Sequence, residues 1–346
     1  MKIPKGKNSI KRNKAGTAIK KRKKKIISTT TTNNCTTTDD HDNGDDEISK
    51  ITTTTAEQVT TPFSVRDVAD VVGYNSPVQM IDVVDQSNTA DEWTFGDLVE
   101  YFEDETRLKQ QQQQLQSIMT TTTDNNEKQI LEKALHPPKT ILNQISYEFS
   151  GTPLHKMVRS PTFVREIDWI DIAWPDEKKP QHINDTNNTK EYPVVQYYCL
   201  TSAAGSYTDF HIDFGGSSVW YHVVRGQKVF VVSPPTRENL NVYEEWLCRS
   251  DQAEIFLPDL MKERSCPDVH SYSSKTLFIP SGWIHAVYTP VDSLVFGGNF
   301  IHGLDMQMQL SINTLETRTS VLDIYRFPHF GALQMYAGGM YLRRLR

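Results

Sequence analysis

The chain has 346 residues, enough for two average domains or for one large β domain with helical decoration. Its formal net charge of −6 hides a strongly basic start, Lys2 to Lys25, followed by an acidic remainder. No apolar run approaches the ~20 residues that span a bilayer, the start is too basic for a signal peptide, and the four cysteines (Cys35, Cys199, Cys248, Cys266) form no C-x-x-C pair, which excludes a finger or ribbon zinc site and points to a reducing compartment.

Residues 1–58 have the composition of a disordered tail: a basic run, then Thr/Asn tracts, then the acidic patch Asp39 to Glu47, with almost nothing aromatic to bury. Within it, Lys20-Lys21-Arg22-Lys23-Lys24-Lys25 reads as a nuclear import signal or an arm making non-specific DNA contact, against the alternative of a solvated charge run. Folded sequence is expected over 59–346. A lead-in, 59–150, opens with Ser64 placed to cap a short helix whose apolar stripe is Val65, Val68, Val71 and Val72. Met80 to Val84 reads as a buried strand. Thr94 to Phe102 has helical spacing, with Phe95, Leu98, Val99 and Phe102 on one side. The Gln and Thr tracts near 105–130 read as a low-complexity surface insertion.

Leu142 to Ser150 alternates as a strand does, and Thr152 to Asp168 carries helix-length amphipathic patches. Asp176 to Tyr192 reads as a second polar insertion. A β core is then expected over about 193–302, in short strands: Val194–Leu200, Asp209–Phe214, Ser218–Val224, Lys228–Val232, Lys275–Ile279, His285–Tyr288 and Ser293–Phe300. Gly226, Pro234-Pro235, Ser281-Gly282 and Pro290 punctuate them, a pattern suited to a sandwich or jelly roll. The segment 303–346 reads as mostly helical, with Met306 to Leu315 and the residues after Phe330 as buttresses.

The chemistry gathers on Tyr207 to Tyr221. If Asp209–Phe214 is a strand, His211 and Asp213 sit two apart on one face and can aim at one point. Pro280-Ser281-Gly282-Trp283-Ile284-His285 places a second imidazole at the start of a later strand. Two imidazoles and a carboxylate make the facial triad of non-haem iron(II) enzymes, which leaves three positions open. The H-x-D pattern alone is weak, because a histidine in an aromatic core segment is more often structural. Lys228 adds weight. Flanked by Val229, Phe230 and Val231, it would be costly to bury unless it met an anion such as the distal carboxylate of 2-oxoglutarate; the bland reading puts it at a solvent-facing strand end. Thr208 could donate a hydroxyl to the same carboxylate, or simply follow β propensity. Tyr207, Phe210, Trp220 and Trp283 are candidates to shape the pocket, although each is more often plain core.

Several long segments, in order, resemble the Jumonji-C (JmjC) histone lysine demethylases, in the branch of the F-box and PHD-finger demethylases. They are Phe63 to Val68, Leu142 to Ser150, Tyr207 to Tyr221, Phe278 to Pro290 and Phe296-Gly297-Gly298-Asn299-Phe300. The resemblance runs from about Pro62 to the C-terminus, interrupted by the polar insertions. It implies a mainly β fold with flanking helices, the double-stranded β-helix or cupin-like jelly roll. It also implies an Fe(II) site at His211, Asp213 and His285, with 2-oxoglutarate and O2 as co-substrates. By the same resemblance Thr208 and Lys228 would hold the distal carboxylate, while Asn143 and Tyr221 would be further polar contacts. The implied activity is oxidative removal of methyl groups from mono- and dimethyl lysine on the histone H3 tail, lysine 36 favoured, by a nuclear chromatin regulator. Lysine 9 or lysine 27 of H3, a JmjC protein hydroxylase, and a non-catalytic chromatin-binding module are the alternatives. The sequence lacks the PHD finger, CXXC module and leucine-rich repeats of its larger kin, and the basic tail would take over part of their targeting through a salt-dependent attraction to DNA.

Overall fold

Two capping boxes start the folded part of the chain. In the computed structural model, which describes residues 63–83, 86–89, 91–104, 141–180, 191–261 and 268–346, Ser64 caps helix α1 (Val65–Val72) and Thr94 caps helix α2 (Phe95–Glu103). Each cap hydroxyl accepts from the amide three residues on, and Asp67 or Asp97 accepts from the cap residue's own amide. Such a cap contributes about 1 kcal/mol. The helices bury Val68, Ala69, Phe95, Leu98 and Val99 against Phe296 of the sheet and Phe149, just past a strand end. The basic tail with Lys20 to Lys25, and the insertion near 105–130, lie outside the described residues.

The strands are β1 to β4 (Pro77–Val78, Ile81–Asp82, Ser87–Asn88, Trp93–Thr94), β5 (Leu142–Glu148), β6 (Tyr198–Ser202), β7 (Tyr207–His211), β8 (Ser218–Ser233), β9 (Asp268–Tyr272), β10 (Lys275–Ile279) and β11 (Ile284–Phe300). The main path runs β10-β8-β11-β6-β5-β2-β3, all antiparallel, with β7 joined to β11 and β9 to β8. The two long strands serve both walls of the fold. The first half of β8 and the second half of β11 pair with β10 and β6, whereas the second half of β8 and the first half of β11 pair with β9 and β7. This is a jelly roll with helices on its flanks.

Three helices support it from outside. Tyr243 and Trp246 of α5 (Arg237–Leu247) pack on Phe210 and Phe256. Helix α6 (Met306–Arg318) runs under the loop after β7, and α7 (Phe330–Arg344) packs Phe330, Leu333 and Ala337 against Trp169 and Trp174. The short α3 (Thr162–Ile167) and α4 (Trp169–Ile172) precede β6. A fully buried side chain such as Trp246 or Trp169 contributes about 1.5–3 kcal/mol from its apolar surface.

The structure departs from the sequence expectations in ways that have physical causes. The strands expected at Ser218–Val224 and Lys228–Val232 are one strand, because Gly226 bends the chain (φ +85°) without breaking the ladder. A Cβ there would lie 2.0 Å from the Asp292 carbonyl oxygen, so the close approach of β11 requires glycine. Likewise His285–Tyr288 and Ser293–Phe300 merge, and the register shifts around Val291 absorb Pro290 as a bulge. Helix α5 had no counterpart in the sequence reading, although Leu240, Tyr243 and Leu247 follow the helical period behind the Thr236 cap. The strand expected to begin at Val194 starts at Tyr198, and the patches of Thr152 to Asp168 form only a single turn at Pro153–Lys156 and the short α3. Of the strand expected at Met80 to Val84, Ile81–Asp82 forms β2, and Val84 lies outside the described residues. Among the described residues, no helix is long and apolar enough to cross a membrane.

Candidate active site

His211 is the last residue of β7 and faces His285, the second residue of β11, in antiparallel register. Their rings lie 4.2 Å apart, centroid to centroid. Asp213 is not in the strand that the H-x-D argument assumed. It stands just beyond the end of β7 in extended backbone (φ −61°, ψ 143°) and opens a single turn, Phe214–Gly216. The reason is the Gly215-Gly216 pair, both left-handed, which turns the chain beneath α6 before it re-enters the sheet as β8. The extended backbone at Asp213 still delivers its carboxylate to the same side. One ligand atom from each of His211, Asp213 and His285 falls within 4.8 Å of the other two.

Each imidazole is aimed by its other nitrogen. His211 Nδ1 lies 2.8 Å from the Asp209 carbonyl oxygen, and His285 Nδ1 lies 3.1 Å from that of Trp283. A ring nitrogen that faces a carbonyl carries the proton, so both Nε2 atoms keep free lone pairs. Burial lowers the basicity of both rings, and burial together with the neighbouring His211 takes His285 down to about 4. The 3.6 Å approach of His285 Nε2 to Asp213 Oδ2 is therefore no ion pair near neutral pH. It is two donors converging on one point. The remaining oxygen, Asp213 Oδ1, accepts from Asn299 Nδ2 at 3.2 Å, and Asn299 is itself fixed by the Ser217 hydroxyl at 2.9 Å.

The three side chains line an open cavity with about 940 Å³ of empty space between the two walls of the jelly roll, and Thr208, Tyr221 and Lys228 line it too. Lys228 is only 3% exposed. Its Nζ donates to Ser202 Oγ at 2.6 Å and to Thr289 Oγ1 at 2.9 Å, and no carboxylate pairs with it among the described residues. Burial pushes its pKa down to about 7. Asn143 sits beside Ser202 in the β5–β6 register, buried, with its Oδ1 free of any hydrogen bond, but it is not itself on the cavity wall.

These residues fit the groups that the sequence pattern implies. The His/Asp/His donor set suits a divalent first-row metal with open positions. A buried lysine that meets only hydroxyls lacks a counter-charge, and a carboxylate seated there would supply it.

Comparison with known proteins agrees. The family described as "JmjC domain, hydroxylase" matches residues 198–300, which run from the start of β6 to the end of β11 and contain the whole triad. This chain carries a JmjC domain. It is 42% identical over 278 residues to lysine-specific demethylase 2A of Xenopus tropicalis, covering 79% of this chain and 21% of that protein. It is 39% identical over 276 residues to histone lysine demethylase PHF8 of Danio rerio (80% and 22% covered). It is 40% identical over 275 residues to JmjC domain-containing histone demethylation protein 1 of Yarrowia lipolytica (79% and 46% covered). The chain thus spans less than half the length of these relatives.

Within the JmjC domain the pocket aromatics differ from those expected. Tyr207, Phe210 and Trp220 pack into hydrophobic clusters off the cavity wall, and Trp283 packs on the cluster of Val219, Tyr221, Phe230, Ile279 and Val287 that lines it; the aromatic lining itself is Tyr198, Phe214, Tyr221 and Phe230. Sequence reading also missed Ser202 and Thr289, which meet Lys228, and Asn299, which meets Asp213. Serine and threonine are too common in strands to signal such a role. Asn299 lies in the family-like segment Phe296 to Phe300, and a polar residue amid Phe296, Gly297, Gly298 and Phe300 is the available clue.

Proposed function

We propose that the chain removes methyl groups oxidatively from mono- and dimethyl lysine of histone H3, with lysine 36 favoured, as an Fe(II)- and 2-oxoglutarate-dependent dioxygenase acting in the nucleus. The observation that carries this reading is one cavity with a convergent His211/Asp213/His285 set and, on its wall, a buried Lys228 that no carboxylate pairs with among the described residues. The names of the relatives supply the histone lysine substrate class.

Iron(II) with 2-oxoglutarate and O2 supplies the oxidising power, by which an N-methyl group leaves as formaldehyde while 2-oxoglutarate becomes succinate and carbon dioxide. The chain's residues hold and aim. Nε2 of His211 and His285 and a carboxylate oxygen of Asp213 bind the metal, and the carbonyls of Asp209 and Trp283 keep the Nδ1 protons where they leave Nε2 free. Lys228 and Thr208 take the distal carboxylate, and Ser202 and Thr289 keep the ammonium pointed at it. Tyr221 on the cavity wall gives a further polar contact to the co-substrate, and Asn143, paired with Ser202 in the β5–β6 register, would have to turn into the cavity to give another. Val219, Phe230, Ile279 and Val287 wall the cavity with apolar surface, which keeps water from the reacting methyl group.

Mass spectrometry of a methylated H3 peptide panel incubated with the protein, iron(II), 2-oxoglutarate and ascorbate tests this. The dimethyl lysine 36 peptide is expected to lose ~14 Da steps with formaldehyde release. Loss from a lysine 9 or lysine 27 peptide instead would move the substrate and leave the chemistry. The word hydroxylase in the description of the matched family favours one second reading, stable hydroxylation, which would show as a gain of ~16 Da. The Lys20 to Lys25 run would add salt-dependent attraction to nucleosomal DNA.

A further inference from the structure

The loop that presents Asp213 is not held by the jelly roll alone. Glu316, on the inner face of α6 and 7% exposed, accepts the amide of Gly215 through Oε1 at 2.6 Å. Its Oε2 has no hydrogen-bond partner, and the guanidinium of Arg326 stands 3.6 Å away as a counter-charge. Gly215 and Gly216 take left-handed backbone, and α6 and the segment after it leave no room there for a side chain. A Cβ at Gly215 would lie 2.8 Å from Phe327 Cβ, and one at Gly216 2.9 Å from Ile312 Cβ.

The same helix braces the second metal-facing loop. At Gly282 (φ +76°) a Cβ would lie 2.6 Å from Met308 Cγ, and the Ser281 hydroxyl donates to the Gly216 carbonyl, tying the loop before His285 to the loop after Asp213. A buried carboxylate costs stability unless its bonds do something in return. Here its one strong bond fixes a peptide two residues from Asp213.

We propose that Glu316 is a positioning residue for the metal centre, holding the Asp213 loop in the conformation that completes the ligand set. It touches no reacting atom and acts through Gly215. The proposal rests on the reading of His211, Asp213 and His285 as a metal site. With Glu316 removed, the Gly215 amide loses its acceptor and the Asp213 carboxylate swings over a wider range, so affinity falls more than stability does. An outer-shell contact of this kind changes metal affinity by about 10- to 100-fold.

The test is titration of the full, metal-free chain with Co(II), a stand-in for iron(II) that is stable in air, read by its visible absorption, with the melting midpoint of each metal-free protein alongside. Glu316→Ala is expected to bind Co(II) about 10- to 100-fold more weakly than wild type and with altered band positions. Glu316→Gln keeps an oxygen acceptor for Gly215 and is expected to recover most of that affinity. Three results would overturn the proposal: Glu316→Ala binding as wild type does, Glu316→Gln failing as badly as Glu316→Ala, or a lowered melting midpoint with affinity unchanged. A wild-type chain that takes up no Co(II) would overturn the metal reading itself, and this inference with it.

Discussion

The triad and the lysine on the cavity wall solve opposite problems. Around the triad each side chain is already aimed: both imidazoles by backbone carbonyls, and Asp213 by Asn299. Around Lys228 a cation is buried with two hydroxyls and, among the described residues, no counter-charge, and the neighbouring Asn143 keeps an unpaired oxygen. The first region is organised before anything binds, and uncharged imidazoles cost little to bury. The second stays electrostatically incomplete until an anion arrives. Strain placed there favours a negatively charged ligand over a neutral one of the same shape.

The sharpest way to break the contrast is at the triad. His211→Ala should abolish demethylation of the H3 peptide by mass spectrometry, whereas detectable turnover would remove His211 from the ligand set. Next comes Lys228→Met. Truncating one partner of a buried charge pair costs about 2–5 kcal/mol, so calorimetry should show 2-oxoglutarate binding weakened by about 30-fold to several-thousand-fold. The ligand-free variant should melt no lower than wild type, because the substitution removes a desolvated cation.

A smaller effect concerns pH. Lys228 is depressed to about 7 in the free protein, and an anion favours its charged form. Binding should therefore take up a proton above pH 7, and affinity should decline as pH rises from there, by no more than about tenfold per pH unit. Titrations in buffers of different ionisation enthalpy measure the uptake, and a heat independent of buffer would show Lys228 already charged. For folding the sign is the same as for any depressed lysine: the unfolded chain holds the proton more tightly, so ligand-free stability rises with pH from about 7 to the ordinary lysine range. The mildest change is Asn299→Ala, which frees one Asp213 oxygen and should weaken metal binding about tenfold in a Co(II) titration.

Much of the candidate site was legible from residue type, although the strand period that suggested it fails at Asp213. His211, Asp213 and His285 could be read from residue type and from family resemblance, and Lys228 from the cost of burying it among Val229, Phe230 and Val231. What the period-2 rule could not give was the facing of Thr208. It lies three residues before His211, so a regular strand would put the two on opposite sides, yet both line the cavity. The register explains it. Thr208 pairs with Val287 and His211 with His285, so β7 carries one more residue than β11 over that span, a bulge that re-aims one side chain. A similar irregularity near Arg225 lets Tyr221 and Lys228, seven apart, line the same cavity. Bulges and left-handed glycines depend on which strand lies opposite, which local sequence does not encode. The aromatic lining failed for the same reason, since Tyr207 and Phe210 turn away from the face that Thr208 and His211 share.

The central claim is that triad and lysine form one co-substrate site. Calorimetric titration of 2-oxoglutarate into wild-type protein and Lys228→Met, each with and without Mn(II), tests it directly. Binding should need both the metal and Lys228, with either loss alone removing most of the affinity. Equal binding by Lys228→Met, or tight binding by wild type without metal, would contradict it.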